Sequence, residues 1–388
     1  MKKYTMLGDL ITPAKVVRCG KGNYPVLSMT MHDGIVLQSD RFKKSLASAD
    51  QSDYKVVEYG KLVIGFPIDE GVLYIQKVAP EGIMSPAYST WDVDTTRINP
   101  DFLELCLHSP QSMQYYKDKL RSTTARRRSI PTADLLALRI RTPDMESQLE
   151  AVAVARKVDE MIAIRHAQAT LLDQLVKSRF IELFGDPLSN SKGWPCIVIT
   201  DACRAIFGGG TPSKSHPEYF TGTVPWVSPK DMKSSVISDS IDHITEEAIA
   251  HSTTNLVPAH SVLMVIRSGI LKHTLPVATN SVPVTINQDM KAFVPNGVVT
   301  TAFLMHFFKA IEPDVLAGVR GVTADNIDFK AFQKRTIIVP PMELQEQFAA
   351  FVAQTDKSKY SSAASIQVCR QAANFLRQEW MTCQTSNS

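Results

Sequence analysis

The sequence predicts a mixed α/β protein in which two similar globular parts accompany two long helices. A short motif occurs twice, as TPDMESQ at 142–148 and as VPPMELQ at 339–345. Each copy opens a long stretch without glycine or proline, which favours a helix. Each copy also follows short apolar runs separated by polar turns, which are typical of strands.

The motif indicates an internal duplication. The two copies are 197 residues apart in a chain of 388, and they agree at Pro143/Pro340, Met145/Met342, Glu146/Glu343 and Gln148/Gln345. A repeat of this period is a sign of two equivalent structural units. We therefore expect two copies of one globular fold.

Each globular part is predicted to contain strands followed by a helix. In the first half, the apolar runs Tyr24–Met29 and Lys61–Phe66 predict strands, and Phe102–Leu107 predicts a helix. The second half has a counterpart for each of them, at Val224–Pro229, Ser261–Ile266 and Ala302–Phe308.

A long helix is predicted after each motif. Residues 145–184 contain no glycine or proline, and neither do residues 342–388. In the first helix an apolar stripe is expected at Leu149, Val152, Ala155, Val158, Met161, Ile162, Leu172, Leu175, Val176, Phe180 and Leu183. The second helix is polar over 354–365, and a break is conceivable near 358–362. The simplest arrangement is an antiparallel pair that holds the two globules apart.

These elements divide the chain into four segments. Residues 1–143 and 187–340 are the two globular domains, and residues 144–186 and 341–388 are the two long helices.

Composition narrows the class of protein. The net charge is +3, the six cysteines form no CxxC pair, and no run of 18 apolar residues occurs. We expect a cytoplasmic chain without a metal site or a membrane span.

The glycine-rich stretch GGGTPSK at 208–214 invites comparison with a phosphate-binding loop. Such a loop has a glycine directly before its lysine, whereas Pro212 and Ser213 precede Lys214 here. A turn is the better interpretation, in which Gly208, Gly209 and Gly210 permit positive φ and close backbone approach.

Several motifs, in order, resemble the DNA-specificity subunit of type I restriction-modification systems. They are LFGDP at 183–187, GGTPSK at 209–214, PEYF at 217–220, GTVPWVSPKDM at 222–232, VLMVIRSGILKHTLPVA at 262–278, TINQDMKAFVP at 285–295 and VPPMELQEQ at 339–347. The first half departs from this pattern, since it lacks GGTPS and has SPAY at 85–88 in place of Asn287–Asp289. Ser147 and Leu344 also stand where the family usually has glutamate.

The resemblance implies two target recognition domains that read a bipartite, asymmetric site in double-stranded DNA. The paired helices would set the unread spacer, and helix faces with the ends around 184–186 would dock two modification subunits. Those subunits would bring S-adenosylmethionine and methylate adenine N6, motor-nuclease subunits would cleave, and this chain would hold no cofactor.

Two charge features favour DNA as the partner. Residues 248–288 contain no acid, and their fixed charges are Arg267 and Lys272. A second basic run ends in Arg126, Arg127 and Arg128, which read either as phosphate contacts or as a solvated loop.

The candidate DNA-binding residues follow from donor chemistry. Base edges are read by groups such as arginine, asparagine and glutamine. The candidates for base reading are Arg267, Lys272, His273, Asn287 and Gln288, and those for phosphate contact are Arg126, Arg127, Arg128 and Lys214. Lys230 is a further DNA-binding candidate. Asn287 and Gln288 are equally open to a structural role in their own loop. Lys214 is equally open to being a plain surface charge.

No catalytic motif is evident. Pro340-Pro341 has neither the polar residue before it nor the aromatic ring after it that adenine methyltransferases use, and no HExxH or GxSxG occurs. A non-catalytic specificity subunit is therefore predicted. The alternatives are a self-contained DNA methyltransferase with an unusual motif and a helical scaffold that binds proteins only.

Overall fold

The computed structural model describes residues 4–31, 33–41, 50–120, 128–319 and 325–380, with the side chains of 376–380 excepted. The chain forms two compact units. Unit 1 contains residues 1–166 and 363–388, and unit 2 contains residues 167–362. Each long helix therefore begins in one unit and ends in the other. The division into four functional segments stays a prediction.

Unit 1 is a mixed α/β fold. Its strands are β1 (Tyr4–Met6), β2 (Ile11–Pro13), β3 (Val17–Arg18), β4 (Leu27–Met29), β5 (Ile35–Leu37), β6 (Lys55–Glu58), β7 (Leu62–Ile64), β8 (Leu73–Ile75), β9 (Glu81–Met84), β10 (Ser89–Val93) and β11 (Arg139–Arg141). Its helices are α1 (Gln38–Arg41), α2 (Pro100–Leu107), α3 (Pro110–Lys119), α4 (Thr132–Leu136) and the first part of α5 (Met145–Phe184).

The sheet of unit 1 has the strand order β2-β10-β7-β8, and all its pairs are antiparallel. Two smaller sheets, β3-β6-β9 and β4-β5, and the pair β1-β11 complete the strands. Helix α2 covers the main sheet with Phe102, Leu103, Cys106 and Leu107, which are all buried. Burial of each large apolar side chain contributes about 1.5–3 kcal/mol, so this face supplies the core of the unit.

Unit 2 repeats the plan with additions. Its strands are β12 (Cys196–Val198), β13 (Cys203–Gly208), β14 (Val224–Val227), β15 (Val236–Ile237), β16 (His243–Ile244), β17 (Val262–Val265), β18 (Val277–Asn280), β19 (Thr285–Ile286), β20 (Met290–Pro295) and β21 (Thr336–Ile338). Its helices are α6 (Glu246–Ala250), α7 (Thr301–Ala310), α8 (Glu312–Ala317), α9 (Phe329–Phe332) and most of α10 (Met342–Trp380).

The main sheet of unit 2 has the order β13-β20-β17-β18-β15. Its first four strands match the order of β2-β10-β7-β8, and the pair β12-β21 matches β1-β11. Strand β15 joins β18 in parallel, and a second sheet, β16-β14-β19, has no counterpart of the same order among the described residues of unit 1. The predicted duplication is therefore confirmed in the framework, and the two units differ in what surrounds it.

The long helix α5 has the predicted bounds. Asp144 accepts a hydrogen bond from the Ser147 amide at 2.8 Å and caps its start. Gly185 follows its end with φ +77°, the left-handed conformation that commonly stops a helix. The Lys192 ammonium then binds the Glu182 carbonyl at 2.6 Å, where a positive charge favours the helix end.

Within unit 2, α5 and α10 pack antiparallel. The rings of Phe180 and Phe184 each lie 5.5 Å from the Phe348 ring. Further along α10, Lys359 pairs with Asp173 of α5 at 2.6 Å. Later residues of α10 thus contact earlier residues of α5, which is the antiparallel arrangement that the sequence predicts.

The expected apolar stripe of α5 is partly wrong. Val152, Val176 and Phe180 are buried as expected, but Leu149 and Leu175 are about half exposed, at 51% and 49%. Met161 is 49% exposed as well. A 40-residue helix rotates through several apolar faces, and only the face that meets a sheet or a second helix becomes buried.

The conceivable break in α10 does not occur. The helix runs through Ser358 to Ser362, where the serine hydroxyls of both residues bind the carbonyl four residues earlier, at 3.2 and 3.1 Å. Ser362 is 2% exposed and lies 3.2 Å from Gln168 Oε1 of α5. Polar residues therefore continue the helix because their partners lie in the neighbouring helix and in the preceding turn.

Candidate nucleic-acid interface

The glycine-rich segment after β13 lies against the turn that follows β19. A Cβ atom on Gly209 would lie 1.8 Å from the Asn287 carbonyl oxygen, and one on Gly210 would lie 2.9 Å from the backbone of Thr253. The Gly210 amide donates to the Ile286 carbonyl at 3.0 Å. Because side chains have no room here, glycine is required by close backbone contact.

The expectation of positive φ at these glycines is wrong. The described glycines with positive φ are at other positions, among them Gly185 and Gly297, and do not include Gly208, Gly209 or Gly210. Gly209 and Gly210 lie against neighbouring backbone, so close contact accounts for glycine at these two positions.

Trp226 supports this segment from β14. Its indole N–H donates to the Gly210 carbonyl at 3.0 Å, and its ring packs edge-on against Phe220 with centroids 5.9 Å apart. The ring is partly buried. Its polar group is therefore engaged inside the unit.

Arg267, Asp289 and Asn287 form one hydrogen-bonded cluster. Arg267 Nε donates to Asp289 Oδ1 at 2.6 Å, and Asn287 Nδ2 donates to Asp289 Oδ2 at 3.2 Å. The Asp289 amide donates back to Asn287 Oδ1 at 3.1 Å. Asn287 is 7% exposed, so its amide stabilises the turn, which is one of the two roles that the sequence leaves open.

Arg267 keeps donors for a ligand. Its side chain is 48% exposed, and the cluster engages it through Nε. A guanidinium has five N–H donors in a planar fork. Asp289 therefore fixes the plane of the fork, and about half of the Arg267 side chain remains exposed.

The neighbouring candidates lie at the surface. Gln288 is exposed, and its Oε1 accepts a hydrogen bond from Thr211 Oγ1 of the glycine-rich segment. Lys272 is 66% exposed and lies 3.7 Å from Asp325. The backbone of Arg267 bridges to Asn326, beside that aspartate. One set of contacts thus joins four of the candidate residues, Arg267, Asn287, Gln288 and Lys272.

Lys214, Lys230 and His273 do not enter this cluster. Lys214 is exposed and forms no ion pair with a described residue. The Lys230 ammonium binds Asp242 at 2.6 Å, and this hydrogen bond raises the pKa of the lysine. His273 is exposed and follows a short 3-10 turn at Gly269–Lys272.

In unit 1, Arg128 is held by two carboxylates. Its Nε donates to Asp69 at 3.0 Å, and its terminal nitrogen contacts Glu70. The Arg128 carbonyl also accepts the Ile68 amide at 3.0 Å. Arg126 and Arg127 lie outside the described residues.

Sequence reasoning missed a groove beside the glycine-rich segment. It has a volume of about 830 Å³, and its lining includes Lys291, Phe329 and Lys330. The Lys291 ammonium lies 4.8 Å from the centre of the Phe329 ring, a cation–π contact. Gly208 is the partner of Lys291 across the β13–β20 pair. The lack of a side chain at Gly208 leaves room for the ammonium, which a Cβ atom would approach to 2.9 Å.

The described part of the chain contains no cluster of metal-binding side chains. No group of three or more histidine, cysteine, aspartate or glutamate side chains there is placed to hold an ion. Among the helices of that part, none has the length and apolar character that a membrane crossing requires.

The second half of the chain matches the model of a known protein family. The family model for the type I restriction modification DNA specificity domain matches residues 191–367. The resemblance that the sequence motifs predict is therefore confirmed over these residues.

Two curated relatives are named as type I specificity subunits. The chain is 39% identical over 153 residues to the type I restriction enzyme EcoR124I/EcoR124II specificity subunit of Escherichia coli, a match that covers 39% of this chain and 38% of the relative. It is 26% identical over 194 residues to the MjaIX specificity subunit of Methanocaldococcus jannaschii, covering 49% and 44%. The chain thus spans less than half the length of these relatives.

Solved structures extend the likeness in fold beyond the specificity domain. A chain from a study of complex assembly and conformational transition of the type I R-M system superposes with a TM-score of 0.61 at 15% identity, covering 98% of this chain and 97% of that one. The type I S subunit of M. genitalium superposes with a TM-score of 0.55 at 13% identity, covering 99% and 97%. The predicted mixed α/β fold with two long helices is confirmed.

Proposed function

We propose that this chain is the DNA-binding specificity subunit of a type I restriction-modification complex. It reads a bipartite, asymmetric site and directs adenine-N6 methylation and cleavage by partner subunits. The observation that carries the proposal is the repeated framework, in which each unit has the same four-strand order and the same motif at the start of its long helix. Two equivalent readers in one chain suit a target made of two separate halves.

The second half-site is read by the face that carries the Arg267–Asp289–Asn287 cluster. The outer edge of the Arg267 guanidinium is suited to the O6 and N7 atoms of guanine, and exposed Gln288 is suited to adenine. Lys272 and the groove lysines Lys291 and Lys330 contribute phosphate contacts. Phosphate contacts set register and affinity, while base contacts set sequence.

The first half-site is read by unit 1. Arg126 and Arg127 are its phosphate contacts. Arg128 has a different task, because Asp69 and Glu70 already neutralise it. We assign it to anchoring the end of that basic segment.

The modification subunits dock on the outer face of α5. In unit 1, Met161 and Ile164 of this helix are 49% and 57% exposed, and in unit 2, Leu171 and Leu175 are 62% and 49% exposed. Phe184, which the sequence suggested as part of a docking end, is 0% exposed and belongs to the core of unit 2. Docking near that end therefore uses exposed neighbours such as Leu188, which is 54% exposed.

In this proposal the partner subunits carry out the chemical steps. The modification subunits bring S-adenosylmethionine, the motor-nuclease subunits cleave, and the complex works in the cytoplasm. The two long helices set the length of the unread spacer between half-sites. Insertion of residues into both helices is expected to lengthen that spacer without changing either half.

The direct test is sequencing that detects N6-methyladenine. DNA is compared from cells with this chain and its modification subunit, from cells with the modification subunit alone, and from cells with the chain alone. A two-part motif with a fixed gap should appear only when both are present. A motif that is independent of the chain would contradict the proposal, and methylation by the chain alone would make it an enzyme.

A further inference from the structure

Unit 2 contains a cavity that the proposed function does not use. It lies among α5, α7 and α10 and has a volume of about 570 Å³. Small-molecule sites commonly measure roughly 300–1,000 Å³ and combine apolar walls with a few polar groups. Here Val176, Phe180 and Val352 supply apolar wall, and Ser234 and Thr274 lie at the lining as well. The cavity shares no lining residue with the Arg267 cluster.

The carboxylates of the cavity already have partners. Asp173 and Asp356 bind the Lys359 ammonium at 2.6 and 3.1 Å. Glu312 Oε1 accepts the Leu275 amide at 3.1 Å. Lys359 is thus neutralised twice, and the acids around the cavity are committed to contacts within the unit.

Lys309 is in a different position. It lines the same cavity from α7 and forms no ion pair with a carboxylate of the described residues. Burial lowers the pKa of its ammonium, and Lys359 lowers it further, while the three acids oppose this effect. A buried ammonium without a paired anion is unfavourable. Its environment therefore favours a negative partner.

His306 lies one turn before Lys309 on α7 and lines the cavity too. Its Nε2 atom is buried and has no hydrogen-bond partner among the described residues. Such orphaned groups are rare in folded proteins and call for an explanation. Burial, followed by Lys309 and Lys359, lowers the pKa of His306 to about 3, so the imidazole is neutral. A neutral imidazole can still donate one hydrogen bond.

We propose that this cavity binds a small oxyanion, either free or as the acidic group of a small organic molecule, with Lys309 as its counter-ion. Lys177 and Lys233 add positive charge at the lining, and His306 contributes a neutral part of the wall. The apolar wall at Phe180 and Val352 accepts the organic part. Because the anion binds the protonated amine, affinity falls once the pH rises past the lowered pKa of Lys309.

The test uses the full-length chain and two probes in isothermal titration calorimetry at constant ionic strength. Sulfate does not titrate near neutral pH and represents a free oxyanion, whereas benzoate adds an apolar ring. We expect saturable binding of the probe, with an affinity that decreases as the pH is raised. Tighter binding of benzoate than of sulfate would identify an organic anion as the occupant.

The decisive variant is Lys309→Met, which retains an unbranched side chain and removes the charge. We expect roughly tenfold or greater loss of affinity, the range for a charge-assisted hydrogen bond. The matched control is Lys334→Met, which changes an exposed lysine outside the cavity. Sulfate also stabilises proteins without binding, and that effect should persist in both variants. His306→Phe leaves the lysine charges in place and should retain binding.

Two results would overturn the inference. One is the absence of saturable binding of either probe to the wild-type chain, which needs no variant. The other is unchanged affinity in Lys309→Met. DNA binding is measured in parallel, and Lys309→Met should retain it. Failure of the anion site is therefore distinguishable from failure of the proposed function.

Discussion

Gln148 and Gln345 make the same hydrogen bonds in the two units. Gln148 Oε1 accepts the Asn99 amide at 2.8 Å, and its Nε2 donates to the Pro143 carbonyl at 2.9 Å. Gln345 Oε1 accepts the Thr300 amide at 2.9 Å, and its Nε2 donates to the Pro340 carbonyl at 2.9 Å. Both side chains are 0% exposed. The glutamine thereby ties the start of each long helix to the start of the helix that covers the sheet.

Replacement of Gln345 with leucine should destabilise unit 2. The change leaves the Thr300 amide and the Pro340 carbonyl without partners, and each unsatisfied buried group costs about 1–3 kcal/mol. Urea unfolding would measure the loss. Gln347→Leu, on an exposed position of the same helix, is the control and should be close to neutral. Equal effects of the two changes would show that the shared hydrogen bonds contribute little.

Replacement of Gly209 with alanine should disrupt unit 2. The added Cβ would lie 1.8 Å from the Asn287 carbonyl oxygen, so the turn that carries the Arg267 cluster must move. We expect a destabilisation of about 4 kcal/mol or more, the range of severe core mutations, and loss of DNA binding. Gly269→Ala meets nothing within 4 Å and should be tolerated. A stable, DNA-binding Gly209→Ala variant would contradict the role of close contact.

Arg267→Ala should relax recognition at one position of one half-site. A lost bidentate base contact costs about 1–3 kcal/mol of discrimination. Asp289→Asn should have a smaller effect of the same kind, because it removes the charge that orients the guanidinium. Competition binding against a library of half-site variants would measure both changes. A uniform loss across all sequences would instead assign Arg267 to phosphate contact.

The three consecutive arginines should separate into two roles. Changing Arg126 and Arg127 to alanine should weaken binding to all DNA sequences alike and reduce the salt slope by roughly 0.9 for each lost phosphate contact. Arg128→Ala should instead lower stability, because Asp69 and Glu70 lose their partner. Affinity measured from low to moderate salt, together with thermal unfolding, would distinguish them. A salt slope that changes with Arg128 alone would reverse the assignment.

His306 should make unit 2 sensitive to acid. Its pKa is lowered to about 3 in the folded chain, whereas an unfolded histidine has a pKa of about 6.5. The unfolded state binds the proton more readily between these values, so stability is fully present above about pH 6.5 and falls as pH drops towards 3. At pH 5 the loss is about 2 kcal/mol. The difference in unfolding free energy between pH 7.5 and pH 5 should shrink by this amount in His306→Phe. An unchanged difference would show that the imidazole is protonated without cost.

The sequence predicts those features that depend on neighbours along the chain. The bounds of α5 follow from a run without glycine or proline that ends at Gly185. The duplication follows from a motif whose glutamine is needed at both helix starts. Such local rules act through capping and propensity, which are properties of short segments.

Features set by tertiary register could not be predicted in this way. Lys291 lies in the groove because β13 pairs with β20 so that Gly208 faces it, and that register is not visible in either strand alone. Leu149 and Leu175 follow the helical period, yet they are half exposed because the period does not specify which face meets a partner. Residues 248–288 contain no acid, and Asp289 is the first acid after them. Composition alone does not predict that this aspartate binds Arg267.

The polar stretch of α10 limits how the two long helices can slide. An apolar stripe tolerates a shift by one turn, since one aliphatic contact replaces another. Lys359 with Asp173 and Ser362 with Gln168 have no such substitutes, because a shift of about 5.4 Å would take from each the partner that it has on the other helix. Alignment of the helices is therefore encoded in their least hydrophobic residues. Under the proposed function, sequence changes at these positions are expected to alter the spacing between the two half-sites.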